Sequence, residues 1–229
     1  MSAVLELPRV KNLQTTLKKA IVQAMKNRFR AVFFDVDYKT FDDLIEEFPK
    51  RRNPRLTYDR GVLEVMPLPE HDISERLIDE LFTALALEFD VDYVNYGSST
   101  QKRARLERGF EPDSSFYLGE NAELMRYRDR FLETDPPLDL VFEVDVTHSS
   151  VDRFALMAAF GVKEIWQSEK KRLKILHLEN GEYVERKEST ILPNVTSAVL
   201  NDFVASSKTQ SRAAWRKEIR EWAQTNPNK

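Results

Sequence analysis

The sequence predicts an α/β protein with a mixed β-sheet flanked by helices, and three observations carry that expectation. Stretches of helical periodicity alternate with short runs rich in β-branched and aromatic residues. A hairpin pattern stands early, with Asp59-Arg60-Gly61 between two apolar runs. A second turn signal, Asn180-Gly181, joins two further runs late in the chain.

The elements follow in order. Leu13, Leu17, Ile21, Met25 and Phe29 recur every four residues and predict an amphipathic helix, with Lys18, Lys19 and Lys26 on its polar side. Ala31 to Val36 reads as a short strand, and Thr40 is the expected N-cap of a helix running to Phe48. A basic connection, Lys50-Arg51-Arg52, leads past Pro54 into the hairpin of Arg55 to Tyr58 and Val62 to Met66, which Pro67 and Pro69 stop. Asp72 to Glu88 is a helix with Ile73, Leu77, Leu81, Ala84 and Leu85 on one face, and Asp72 with Glu75 resembles a capping box. Val91 to Tyr96 is a strand ending at Gly97. Two more strands follow, over Asp113 to Leu118 and Asp139 to Asp145, divided by a polar, Arg-rich stretch. Val151 to Phe160 is a helix stopped by Gly161. Lys163 to Gln167, Arg172 to Leu178 and Glu182 to Glu185 are strands. The last helix sets Trp215, Ile219 and Trp222 at helical spacing as a packing or dimer stripe, and Arg212, Arg216 and Arg220 in a four-residue rhythm.

Composition narrows the function classes. At 41% hydrophobic and 32% charged residues the 229-residue chain is long enough for a proper core. A net charge of -3 means that nucleic-acid binding must come from local basic patches. No apolar run reaches the length of a membrane span, and the N-terminus lacks a secretory apolar region, so a cytoplasmic protein without membrane partners is expected. The absence of cysteine excludes disulfides and thiolate metal sites. With three histidines, His71, His148 and His177, a histidine-built zinc centre is not expected either, which leaves oxygen ligands and ions such as Mg²⁺ or Mn²⁺.

The chemistry concentrates in two strands. In a strand, alternate side chains share a face, so Leu140, Phe142, Val144 and Val146 form one side of the second. Asp139, Val141, Glu143 and Asp145 form the other. Carboxylates gathered on a buried face repel one another and resist desolvation, and a divalent cation relieves both costs. Asp113, near the start of the preceding strand, meets Glu143 if the two strands are neighbours. Two readings stand: half of an oxygen-ligand metal site, or an Asp that caps a turn beside a solvated strand end.

Four motifs stand in a fixed order: the Pro-rich run from Met66 to His71, Gly109-Phe-Glu-Pro-Asp113 with its strand, Glu143-Val-Asp145 with its strand, and Gly161-Val-Lys-Glu-Ile-Trp166. This succession resembles the putative restriction endonuclease (Uma-two) family, a branch of the PD-(D/E)XK nuclease superfamily, over roughly Thr40 to Phe203. The resemblance implies a restriction-endonuclease-like core at 40–205, with a helical extension at 1–39 and a C-terminal helix at 206–229. It implies Asp113 and Glu143 as ligands of Mg²⁺ or Mn²⁺, and DNA as partner. Where the family commonly has a lysine two residues after the Glu, this chain has Asp145, which cannot donate positive charge but can serve as a further ligand. Lys102 is the candidate replacement. Lys102, Arg103, Arg105 and Arg108 are candidate phosphate contacts, or equally the charged edge of a solvated strand.

The expected function is a metal-dependent endonuclease hydrolysing DNA phosphodiester bonds, as a homodimer because cutting two strands needs two sites. The alternative is a catalytically inactive metal- or nucleic-acid-binding or assembly protein on a nuclease fold. A third reading, a hydrolase using Glu143 and Asp145 as acid and base, has few sugar-stacking aromatics nearby.

Overall fold

A computed structural model of the chain describes residues 3–4, 13–27, 29–47, 54–66, 73–128, 132–144, 149, 151–170, 172–192 and 194–227. Within them lie β1 (Ala3–Val4), α1 (Leu13–Asn27), β2 (Ala31–Phe33), α2 (Tyr38–Glu47), β3 (Arg55–Asp59), β4 (Val62–Met66), α3 (Ile73–Glu88), β5 (Tyr93–Asn95), β6 (Gln101–Arg103) and β7 (Arg108–Phe110). They continue with β8 (Ser114–Leu118), α4 (Glu120–Met125), β9 (Leu140–Val144), α5 (Arg153–Phe160), β10 (Glu164–Glu169), β11 (Arg172–Glu179), β12 (Glu182–Arg186), α6 (Ser197–Ser206) and α7 (Arg212–Thr225). No helix among the described residues is long and apolar enough to cross a membrane. The α/β class is as the sequence predicts, but the strands form two six-stranded sheets. The chain divides into two compact units, each with one sheet.

The first unit gathers Met1–His71, Thr100–Glu111 and His148–Leu156. Its sheet has the order β1-β2-β4-β3-β7-β6. The early hairpin closes on Arg60 and Gly61, both at positive φ (42° and 99°), which a two-residue turn with matching twist requires. Leu17 and Ile21 of α1 and Phe41 and Leu44 of α2 are buried in a core with Phe33, Leu56, Tyr58, Leu63 and Val65. Phe41 lies flat on Tyr58, ring centroids 4.9 Å apart. Gly109 is where this packing is tightest: a Cβ there would stand 2.5 Å from Phe41 Cζ. The helix expected to be capped by Thr40 starts two residues earlier, at Tyr38. Its cap is Asp37, whose Oδ1 accepts the Thr40 N–H at 2.7 Å. Asp ranks above Thr at this position, and it precedes the orphan N–H groups that need an acceptor.

The first unit also holds a buried polar cluster. Glu111 accepts from Thr100 Oγ1 (2.8 Å) and from the Leu56 N–H (3.3 Å). The Arg153 guanidinium donates to Thr57 Oγ1 (2.8 Å) and to the Glu111 carbonyl (3.1 Å). Burial pushes the Glu111 carboxyl above its ordinary value; the bonds from Thr100 and Leu56 and the charges of Arg55 and Arg153 pull the other way without cancelling it.

The second unit gathers Asp72–Ser99, Pro112–Thr147 and Met157–Lys229. Its sheet, β12-β11-β10-β9-β8-β5, is mixed, because β9 and β10 run parallel while the other pairs are antiparallel. Phe116, Leu140, Phe142, Trp166 and Ile175 line one face, against Leu81 and Phe82 of α3, Leu200 and Phe203 of α6, and Trp215 and Ile219 of α7. Phe142 stacks on Trp166 at 5.2 Å. The Trp215 stripe is therefore core packing within this chain, pinned by Trp215 Nε1–H donating to the Phe203 carbonyl at 2.8 Å. On the outer side of α7, Arg212 and Arg216 pair with Glu80 and Arg220 with Glu88. Two short helices, α4 and α6, were not expected from the sequence; α6 is capped by Thr196, whose hydroxyl accepts from the Val199 N–H.

Candidate active site

Strand pairing decides where the acids meet. In the antiparallel ladder of β8 and β9, Ser114 stands opposite Phe142, Ser115 opposite Val141 and Phe116 opposite Leu140. One residue further along the same register, Asp113 falls opposite Glu143. Phe142 points to the α3 side with the core, so alternation turns Asp113 and Glu143 to the other face. The parallel pairing of β9 with β10 sets Gln167 beside Glu143, and the next ladder sets Lys174 beside Gln167. A single rung across four strands thus reads acid, acid, amide, amine.

Both acids are buried, Asp113 at 4% and Glu143 at 3% exposure. The Val144 N–H donates to Asp113 Oδ2 at 2.5 Å, which fixes the orientation of that carboxylate. Tyr183 feels Glu143 from the same face. Burial, with the Glu143 charge adding to it, raises the phenol's pKa, and its hydroxyl stays protonated and donates to the Val162 carbonyl at 2.8 Å. Two like charges on neighbouring strands repel, and hard oxygen donors in that arrangement suit Mg²⁺ or Mn²⁺, which bind through one or two carboxylates together with water and substrate phosphate. Among the described residues no group of three or more His, Asp or Glu stands close enough to hold an ion. The described part of the donor set is thus a pair, and it fits a divalent cation of that kind.

Other expected residues fall differently. Asp145 and His148 lie outside the described residues, as do His71, Asp72, the Lys50-Arg51-Arg52 run and residues 67–70. Asp139, on the same strand face as Glu143, is tied into the fold: it accepts from the Leu118 N–H (2.8 Å), from Asn121 Nδ2 (3.0 Å) and from Lys163 Nζ (2.6 Å). Lys102, Arg103, Arg105 and Arg108 belong to the first unit, whereas Asp113 and Glu143 belong to the second. They form a hairpin, with Lys102 and Arg103 on β6, Arg105 in a 3-10 turn and Arg108 on β7. Lys102 Nζ donates to Asp42 Oδ1 (2.6 Å) and Glu46 Oε1 (3.3 Å). Burial alone would lower its pKa, but those two carboxylates together hold it above its ordinary value. Arg108 pairs with Asp59 at 2.7 Å, Arg103 is buried, and Arg105 is exposed. Gln167 was not singled out by the sequence; the signal available there was a polar amide directly after Ile165 and Trp166, the two apolar residues of the strand.

Residues 40–206 match the family model Uma2, described as "Putative restriction endonuclease", and the chain belongs to that family. It is therefore a nuclease-like α/β protein. Among solved structures it is similar to a "putative nuclease belonging to DUF820 from Anabaena variabilis ATCC 29413", with a TM-score of 0.48 and 12% identity, covering 73% of this chain and 98% of that one. Comparison with curated proteins gave no match.

Proposed function

We propose that the chain is a metal-dependent endonuclease that hydrolyses DNA phosphodiester bonds, with Asp113 and Glu143 holding Mg²⁺ or Mn²⁺ and Asp145 as a third carboxylate. The observation that carries this reading is the register that sets Asp113 opposite Glu143 on one buried sheet face. When bound, such an ion supplies an activated water and stabilises the charge developing on phosphate. The chain's own residues do the rest. Asp113 is held in one orientation by the Val144 N–H, and Glu143 stands across from it in a face that excludes bulk water. Lys102, Arg103, Arg105 and Arg108 are the proposed backbone contacts to DNA, with exposed Arg105 the readiest of them. A cytoplasmic homodimer is the expected working form.

Plasmid nicking is the test. Wild type with Mg²⁺ or Mn²⁺ is expected to nick or linearise DNA, and Asp113→Ala and Glu143→Ala to abolish it. Equal behaviour of wild type and both variants, across metals and DNA forms, rules the reading out.

A second reading, a non-catalytic binding or assembly protein, is favoured by Asp145 standing where the family commonly has lysine and by the engagement of Lys102 with Asp42 and Glu46. Calorimetry separates the two: Mn²⁺ binding without turnover supports the second, and turnover rejects it. Lys102→Ala adds to this test. If cleavage collapses while Mn²⁺ still binds, Lys102 supplies the missing positive charge.

A further inference from the structure

Gln167 occupies the position next to Glu143 on the side away from Asp113. It follows Ile165 and Trp166, both fully buried, and is itself only 7% exposed. Alternation places it on the face of the two acids, opposite the face to which Trp166 contributes. Its side-chain amide makes no hydrogen bond to a described residue, and neither of its polar atoms is among the buried ones left without a partner, so the amide end is open to solvent. The amine beyond it on the rung does not serve it, because Lys174 Nζ is held by Glu169 (2.8 Å) and Glu185 (3.6 Å). An amide that shares the face of the two acids and keeps its donors open is placed to bond a ligand there.

We propose that Gln167 is a substrate contact of the same site, its amide N–H donating to a non-bridging phosphate oxygen of the bound nucleic acid. This rests on the nuclease reading and adds to it a residue that sequence motifs do not mark. Three physical points select this role. Neighbouring strands are spaced about 4.8 Å apart, so Gln167 stands roughly 10 Å from Asp113 across the sheet. An ion shared by Asp113 and Glu143, about 2.1 Å from its oxygens, lies between β8 and β9 and leaves Gln167 as a flank and not a ligand. Finally, a phosphate brought against two carboxylates is met with negative charge, and a neutral donor is the group on this rung that can greet it without disturbing the pair.

The test uses the full chain, Mn²⁺ and a DNA substrate, with wild type, Gln167→Leu and Gln167→Glu compared in steady-state cleavage and in Mn²⁺ calorimetry. Gln167→Leu is expected to raise KM by about tenfold or more, as loss of a hydrogen bond to a charged group does, with kcat less affected and Mn²⁺ affinity unchanged. Gln167→Glu keeps the shape of the residue but presents a carboxylate to the phosphate, so its KM should rise further. It reads the loss of the donor even where leucine perturbs the fold. A wild type that cleaves, beside variants of unchanged KM, overturns this inference alone. Loss of Mn²⁺ binding in both variants overturns it too, since Gln167 would then be serving the ion. A wild type that cleaves nothing with any metal overturns the nuclease reading and this inference together.

Discussion

The backbone N–H of Val144 donates to Asp113 Oδ2 at 2.5 Å, so a side chain proposed to hold an ion also ties the start of β8 to the end of β9. On the proposed reading, binding and stability are coupled at this residue, and two substitutions separate them. Asp113→Ala leaves the Val144 N–H without its acceptor and should cost about 1–3 kcal/mol as well as Mn²⁺ binding. Asp113→Asn keeps an acceptor oxygen and should stay near wild type in urea denaturation, while Mn²⁺ affinity falls with the lost charge. Calorimetry and denaturation on the same preparations check this; an alanine variant as stable as wild type contradicts it.

Glu111 predicts a pH dependence. Its carboxyl is raised in the folded protein by burial, over the opposing pull of Thr100, Leu56, Arg55 and Arg153. A raised carboxyl stabilises the folded state below its ordinary value of 4.5, and that contribution is lost as the pH rises through the folded value. Glu111→Gln, which mimics the protonated form, should therefore unfold at a higher temperature than wild type at pH 7. The advantage should shrink as the pH approaches 4. Thermal melts across that range decide it, and a Gln variant less stable at pH 7 would falsify the burial argument.

Gly109 is required by close approach. With a Cβ 2.5 Å from Phe41 Cζ and 2.6 Å from Cε1, Gly109→Ala must displace a ring that is stacked on Tyr58. Overpacking of this kind costs about 1–3 kcal/mol. Pairing it with Phe41→Leu should return part of the loss, and a double-mutant cycle by denaturation measures how much.

Trp215 ties α7 to its unit. Fully buried and bonded to the Phe203 carbonyl, it should cost about 3–5 kcal/mol on replacement by alanine, enough to endanger the unit. Arg216→Ala, by contrast, removes an exposed pair with Glu80 and should change stability by less than about 1 kcal/mol. Denaturation of the two variants side by side tests the contrast.

Much of this was legible in the residues, and the exceptions have physical causes. The alternation in Leu140-Val141-Phe142-Glu143 separates a core face from a chemical face, and the packing of Phe142 against Trp166 agrees with it. The late helix was readable from Trp215 and Ile219, although not the partner it packs against. Sheet membership was not readable, because pairing β3 with β7, or β9 with β10, is a long-range choice that local pattern does not encode. For the same reason Gln167 escaped notice: its place beside Glu143 exists only once the parallel register is known. The cap of α2 was misassigned because Asp37 and Thr40 both suit the role, and only geometry chooses between them. The basic run at 102–108 looked like a single surface patch, whereas as a hairpin its side chains part, leaving Arg103 buried and Arg105 exposed.

Asp113 and Glu143 are opposed through a ladder of hydrogen bonds and not through their spacing along the chain. The connection between β8 and β9 can therefore grow or shrink between relatives without disturbing their alignment. A single residue inserted between Asp113 and Ser114 is another matter: it would swing the aspartate to the hydrophobic side of the sheet and leave Glu143 facing a stranger.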